Sequence, residues 1–185
     1  MSKQALLVVV GLLGASSLQA QTEVGLGASL VFPVQDFKRS TKVGVAGSGM
    51  IAYRPAGSIL GARLGVAYDV LKGKETSLGK LPGRNILGVT LDLTVHPTVS
   101  DDDEPTAFSP YLFIGGGFYN QTLTDLAPGT PKLSGSHLGI NLGAGTTYGL
   151  GRLKPFLEIE FQSVLLNGPN VKTLLLTTGF RYTVR

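Results

Sequence analysis

Apolar and polar residues alternate along the C-terminal segment of the chain, Lys172 to Arg185. From Thr173 onward, one parity is apolar apart from Thr178, and the other is polar apart from Leu175. A period of two residues is typical of a β-strand with one apolar and one polar face. If the other strands share this pattern, their apolar faces need an apolar solvent, which points to lipid and a closed barrel.

The same alternation recurs upstream and predicts eight strands, joined by segments rich in glycine, proline and polar residues. The strand from Tyr111 to Asn120 is apolar on both parities, so its outer face stays open. The predicted strands are Glu23–Phe32, Val43–Arg54, Ser58–Val70, Asn85–His96, Tyr111–Asn120, His137–Tyr148, Leu153–Leu165 and Lys172–Arg185.

Charge follows the same alternation. In the seven strands whose faces can be assigned, the charged residues lie on the polar parity, apart from Lys172 at the start of the last strand. These residues are Glu23, Arg54, Arg63, Asp69, Asp92, Lys154, Glu158, Glu160 and Arg181. A charge that faces the bilayer midplane costs about 2–4 kcal/mol in a barrel, whereas a soluble sheet tolerates charges on its outer face. The pattern therefore predicts an all-β, eight-stranded antiparallel up-and-down transmembrane barrel with an apolar outside.

Connection lengths and tyrosines agree with a membrane barrel. Two of the even-numbered connections are tight turns, while the odd-numbered ones include the longest loops, as expected for periplasmic turns and external loops. We therefore expect both termini to face the periplasm. An aromatic girdle is expected from the tyrosines near strand ends. These are Tyr53, Tyr68, Tyr119, Tyr148 and Tyr182.

The N-terminus reads as an export signal. Lys3 precedes an apolar core, Ala5–Leu13, and small residues follow up to Ala20. This core is too short for a membrane anchor. We therefore predict that residues 1–20 are a secretory signal peptide and that residues 21–185 form the barrel domain. The chain has no cysteine, which excludes disulfides and thiolate metal sites. Its net charge of +4 is too small to indicate a nucleic-acid partner.

With these strands in place, the chain resembles the small eight-stranded outer-membrane barrels of the OmpX and opacity-protein type. The resemblance is most specific at the end, where Thr177, Gly179, Tyr182 and Val184 look like the C-terminal signal that the barrel assembly machinery recognises. It implies a location in the bacterial outer membrane, in contact with its lipid. It implies little about activity, because such barrels serve adhesion, membrane integrity, serum resistance and occasionally lipid chemistry.

The inward charges must pair, because an eight-stranded barrel is only wide enough for side chains. We expect Arg54, Arg63 and Arg181 to meet Glu23, Asp92, Glu158 and Glu160 in a salt-bridged plug. A narrow ion pathway is the alternative, since the many inward glycines leave room for water. A periplasmic lipid-binding or ligand-binding barrel is a second alternative, but it requires the inverse parity, with an apolar lumen.

The predicted external loops are basic and could contact lipopolysaccharide phosphates or another surface polyanion. The residues singled out for this contact are Lys38, Arg39, Lys72 and Lys74. The acidic run Asp101–Glu104 lacks the spacing of a defined calcium loop, so we interpret it as a solvated turn. No cofactor or metal site is expected.

Catalysis has little support in the sequence. The only histidines are His96 and His137. Small barrel enzymes that trim lipid A use a histidine with a nearby serine on the outer surface. Ser136 precedes His137, but alternation sends adjacent residues to opposite faces. We therefore expect a non-enzymatic protein with a structural or cell-surface role.

Overall fold

The computed structural model describes residues 20–77, 79–97, 108–124, 133–149, 151–166 and 170–184. Eight long strands account for most of these residues. They are β1 (Ala20–Pro33), β2 (Gly44–Pro55), β3 (Leu60–Leu71), β4 (Gly83–Val95), β5 (Phe108–Thr124), β6 (Ser134–Tyr148), β7 (Leu153–Val164) and β8 (Val171–Val184). The signal-peptide prediction stays a prediction, because residues 1–19 lie outside the described part of the chain.

The eight strands form one closed antiparallel barrel. Each strand pairs with the next along the chain, and β1 pairs with both β2 and β8. In that closing register Val24 lies between Ile51 and Tyr182. Closure leaves no strand edge unpaired. The predicted all-β up-and-down barrel is confirmed.

Two smaller elements lie in the connections. A short helix, α1 (Phe37–Ser40), follows β1, and a two-stranded ribbon of Glu75–Thr76 and Gly79–Lys80 follows β3. We call the end of the barrel that carries α1 the loop end, and the opposite end, where β2 joins β3, the turn end. None of the helical residues in the described ranges forms a segment long and apolar enough to cross a membrane.

The two parities separate as the sequence predicts. Leucine, isoleucine and valine cover the outside of the barrel, and Leu91 on β4 is 64% exposed. Its neighbour Asp92 points inward and is 1% exposed. The barrel therefore presents an apolar outer surface, while the charged residues along the middle of its strands point inward.

Strand β5 was the one strand whose facing the sequence left open. Its aromatic residues Tyr111, Phe113 and Tyr119 point inward and are buried, while Ile114 and Phe118 point outward. Tyr119 is therefore not part of an outer aromatic girdle, and that expectation was wrong for this residue. Pairing of β5 with β4 and β6 sets its facing, and a single strand carries no signal for that pairing.

The inward aromatic rings lie on inward glycines of neighbouring strands. Phe113 pairs directly with Gly143 across β5 and β6, and Tyr111 pairs with Gly145 in the same ladder. A Cβ atom on Gly145 would lie 2.5 Å from the Tyr111 ring. Tyr119 and Phe156 show the same arrangement. Tyr119 faces Gly88, and Phe156 faces Gly179. At these four positions an aromatic ring lies against the glycine, so inward glycines make room for rings and not only for water, as we had interpreted them.

The interior at the loop end is apolar. Phe37 of α1 packs there with buried residues from the strand ends. We call this cluster the apolar cap. Its members are Val31, Phe37, Ala46, Leu71, Ile86, Tyr119, Val164, Val171 and Leu175. The inner face is thus polar along the barrel's middle but apolar toward the loop end, a division that strand parity alone does not show.

The ring-on-glycine packing predicts a position-specific cost for added methyl groups. A Cβ at Gly143 would overlap the Phe113 ring and the Ile159 carbonyl oxygen, whereas one at Gly47 on the outside has no neighbour within 4 Å. Gly143→Ala should therefore lower the free energy of unfolding by about 1–3 kcal/mol. Gly47→Ala should leave it unchanged or raise it slightly. Urea denaturation of the two folded variants in detergent measures both, and equal midpoints would contradict the packing.

Candidate functional site

A salt bridge crosses the barrel interior. The guanidinium of Arg63 on β3 lies 2.9 Å from the carboxylate of Glu158 on β7. In the ring of eight strands, β3 and β7 are four strands apart in either direction, so they face each other across the lumen. Both side chains are almost fully buried. The Arg63–Glu158 pair therefore connects opposite walls of the barrel, whereas a pair on neighbouring strands would connect only one part of the wall.

Arg63 also binds the adjacent strand. Its Nε donates to Asp92 Oδ2 at 2.8 Å, and Nη2 lies 2.7 Å from the same oxygen. The other Asp92 oxygen accepts a hydrogen bond from Asn141 Nδ2 at 2.7 Å. The Arg63 guanidinium lies 3.9 Å from the centre of the Phe113 ring. Arg63 is thus held by two carboxylates and an aromatic face, which together offset the cost of its burial.

Glu158 is the centre of the cluster. One of its oxygens, Oε1, accepts from Arg63 Nη1, from Tyr111 OH at 2.5 Å and from Arg181 Nη2 at 2.6 Å. Arg181 lies over the Tyr111 ring at 4.5 Å and reaches Glu23 on β1 at 3.6 Å. Charge-assisted bonds of this kind are stronger than neutral ones.

A lysine extends the chain of contacts toward the turn end. Lys154 Nζ donates to Glu23 Oε1 at 3.1 Å. With it, seven of the eight strands contribute a side chain to one connected set of contacts. We call this set the ion-pair network, and its members are Glu23, Arg63, Asp92, Tyr111, Asn141, Lys154, Glu158 and Arg181.

Two further residues expected in this network point inward close to it. Arg54 lies near the turn end, where its Nη2 donates to Gln21 Oε1 at 2.9 Å and where it lines a cavity together with Glu23. Glu160 points inward on the loop-end side of Glu158 and lines a cavity there. Tyr111, Asn141 and Lys154 take part although the sequence did not single them out as partners. The inward parity of Lys154 was visible, but only the strand registers show which carboxylate it meets.

A cavity lies on each side of the ion-pair network along the barrel axis. The larger, of about 60 Å³, lies toward the loop end, between the network and the apolar cap. The smaller, of about 30 Å³, lies at the turn end and is lined by Glu23, Arg54, His96 and Lys154 among others. Both are too small for a lipid chain, since ligand pockets for drug-sized molecules take roughly 300–1,000 Å³.

Loop-end basic residues from two connections lie side by side. The backbone amide of Lys42 donates to Lys72 O at 2.8 Å, and that of Lys74 donates to Ser40 O at 2.9 Å. A β-bridge between Thr41 and Gly73 lies between these bonds. This pairing places Lys38 and Arg39, on α1, in the segment beside Lys72 and Lys74. We call these four residues the basic patch, which joins candidates that lie far apart in sequence.

Some basic residues at the loop end form ion pairs within the described part of the chain, and others do not. Arg39 lies 3.7 Å from Asp36, and both are well exposed. Lys42 lies 3.3 Å from Glu75. Among the described residues, no carboxylate forms an ion pair with Lys38 or Lys72, which are both exposed. These two amines are therefore available to an external anion.

The remaining candidates have other surroundings. His137 points inward on β6, whereas Ser136 is exposed and accepts a hydrogen bond from Asn120 Nδ2 at 3.1 Å. His96 lies near the turn end, 5.6 Å from the Tyr111 ring. The described ranges contain no group of three or more histidine, aspartate or glutamate side chains placed to hold a metal ion. The acidic run 101–104 lies outside the described residues.

The proposed assembly signal lies on β8. Thr177 points inward and exchanges a hydrogen bond with Ser29 at 2.8 Å, and Gly179 lies beneath the Phe156 ring. Tyr182 and Val184 point outward and are about half exposed. The outer half of the motif is thus accessible on the barrel surface, while recognition by assembly machinery stays a prediction.

Comparison with known proteins agrees with this architecture. The family model described as outer membrane protein beta-barrel domain matches residues 5–183. The structure of Neisserial surface protein A is similar, with a TM-score of 0.65 and 16% identity over 89% of this chain and 98% of that one. A major outer membrane protein from Thermus thermophilus has a TM-score of 0.59 at 17% identity, over 89% and 99% of the two chains.

A third similar structure is the N-terminal barrel domain of OprF from Pseudomonas aeruginosa. It has a TM-score of 0.51 at 17% identity, over 89% of this chain and all of that one. No curated protein matches the chain. At these identities the structures establish the fold alone. The family match covers nearly the whole chain, and so the protein belongs to the outer membrane protein beta-barrel domain family and resides in the bacterial outer membrane, which it crosses with strands.

Proposed function

We propose that this protein is a closed, non-conducting barrel with a structural or cell-surface role. The observation that carries the proposal is the Arg63–Glu158 bridge between opposite walls of the lumen. Because Asp92, Arg181 and Glu23 extend this bridge around the wall, the ion-pair network fills the cross-section at mid-barrel. We interpret it as a charged plug.

The apolar cap supports the same conclusion from the loop end. Phe37 is 6% exposed and packs against residues that line the inner rim. An ion would have to leave water to pass this cluster, which is costly in an apolar environment. A conducting barrel would need an open polar path, and here the path is obstructed at two levels.

The channel alternative makes the opposite prediction in planar bilayers. We expect the purified barrel to show no discrete conductance steps in 1 M KCl, since both the cap and the plug must open for an ion to pass. The double variant Phe37→Ala/Arg63→Ala should conduct more readily, with Arg39→Ala as the control at an exposed arginine near the cap. Reproducible single-channel steps from the native barrel would contradict the proposal and favour the channel.

We also propose a ligand class for the loop end. The basic patch brings lysines from two connections together, and Lys38 and Lys72 have no acidic partner among the described residues. Paired cations of this kind attract phosphate or sulfate groups. The predicted partner is therefore lipopolysaccharide or another surface polyanion.

Removing two of these charges should weaken such binding. Lys38→Ala/Lys72→Ala should raise the Kd for lipopolysaccharide about tenfold, equivalent to about 1.4 kcal/mol, and the effect should diminish at high salt. Arg152→Ala removes an exposed charge at the turn end and should leave the Kd unchanged. Immobilised lipopolysaccharide and a sulfated polysaccharide, tested in parallel, distinguish the two sources. Equal binding by the patch variant and the control would exclude the patch.

A non-enzymatic role also fits the site. Adjacent residues Ser136 and His137 lie on opposite faces of β6 in the structure, which separates the one serine–histidine neighbour pair in the sequence.

The alternative of a soluble ligand-binding barrel requires an apolar lumen. Mid-barrel, the lumen is charged, and the outside is apolar.

A further inference from the structure

The larger internal cavity is bounded by two different surfaces. Its lining includes Tyr119 and Leu175 from the apolar cap, and Arg63 and Glu158 from the ion-pair network. Its volume is about 60 Å³. A buried water needs roughly 10–15 Å³ on this measure, so the cavity has room for a small ion with a few water ligands.

Two carboxylates without a basic partner line this cavity. They are Asp69 on β3 and Glu160 on β7. Arg63 is the only basic residue among the described residues that line it, and it is already bound to Asp92 and Glu158. Within the described ranges, no lysine or arginine forms an ion pair with Asp69 or Glu160. The lining therefore contains three acidic residues and one basic residue.

Of the two carboxylates, Asp69 gives the stronger evidence for a missing partner. It is 2% exposed, and its Oδ1 has no hydrogen-bond partner among the described residues. Elsewhere in the interior, buried carboxylates are closely paired, as Asp92 is with Arg63 and Asn141. A buried carboxylate without a partner is costly. The surroundings of Asp69 thus lack a positive group that the rest of the interior supplies.

The other polar groups around the cavity are oxygen donors. Ser48 and Thr90 contribute hydroxyls, and Gln162 contributes a side-chain amide. The chain has no cysteine. Hard divalent cations such as Ca²⁺ prefer oxygen ligands and retain waters where the protein supplies too few. Two carboxylates match the charge of one such ion.

We propose that Asp69 and Glu160 bind one hard divalent cation, of the Ca²⁺ type, inside the barrel between the apolar cap and the ion-pair network. The ion supplies the positive charge that the lining lacks, and oxygen donors and water complete its coordination. Bound there, it joins β3 to β7 a second time, on the loop-end side of the Arg63–Glu158 bridge. The site is separate from the basic patch and does not depend on polyanion binding.

Calcium titration during refolding tests the proposal. The barrel is refolded in an uncharged detergent either with EDTA or with increasing CaCl₂, so that an ion can enter before the interior closes. After unbound ion is removed by desalting, elemental analysis should show saturable retention of one Ca²⁺ per barrel. The urea midpoint should be higher in Ca²⁺ than in EDTA.

Matched variants locate the site. Asp69→Asn/Glu160→Gln should abolish both the calcium binding and the midpoint shift, and it should be more stable than the native barrel in EDTA because two unpaired charges are gone. Either single change should weaken binding at least tenfold, which keeps the test valid if the double variant folds poorly. The control Asp36→Asn/Glu75→Gln removes two exposed loop carboxylates and should retain both effects.

Three results would overturn the proposal. The first is a native barrel that neither binds Ca²⁺ nor gains stability from it under either refolding condition, which would indicate that the two carboxyls are simply protonated. The second is binding that the interior double variant retains. The third is binding that the loop control loses, which would place the ion at the surface.

Discussion

The salt bridge between Arg63 and Glu158 is the interaction on which the interior depends. An outer surface of leucine, isoleucine and valine forces the charges along the middle of the strands inward, where water is scarce. Such charges are tolerable only if they meet opposite charges with good geometry. The bridge makes this possible because it reaches across the lumen, so that Asp92 on one wall and Arg181 on the other join one network.

The interior consists of layers along the barrel axis. The cavity lined by Asp69 and Glu160 lies on the loop-end side of the ion-pair network, and the apolar cap with Phe37 lies beyond it. Inward rings fill space at several levels, and Phe113 and Tyr111 also contact the guanidinium groups of the network. Aromatic–glycine pairs let a narrow barrel contain both large rings and long charged side chains. Packing and charge pairing therefore support each other in the middle of the barrel.

The sequence predicts the fold well because the strand period is strict. Parity alone places Arg63, Asp92 and Glu158 inside and Leu91 outside, and the structure agrees. Parity could not show the facing of β5, because its aromatic residues alternate with other apolar ones. Tyr111 and Phe113 therefore became visible as interior residues only once β5 was paired with its neighbours.

The site was harder to predict than the fold for a geometric reason. Which inward charge meets which depends on the barrel's register and on its closure, which brings β3 opposite β7. Glu158 and Glu160 look equivalent in sequence, yet Glu158 binds two arginines, whereas Glu160 forms no ion pair with another described residue. Likewise, the basic patch forms because a backbone bridge joins Thr41 and Gly73, and no sequence pattern predicts that bridge.

The most direct test of this account is the stability of Arg63→Ala in urea. Removing the guanidinium leaves Asp92 and Glu158 without their shared partner, so the free energy of unfolding should fall by about 3–5 kcal/mol. Arg39→Ala, which removes an exposed guanidinium beside Asp36, should change it by less than about 1 kcal/mol. If both variants unfold at the same urea concentration as the native barrel, the charged interior does not hold the structure together.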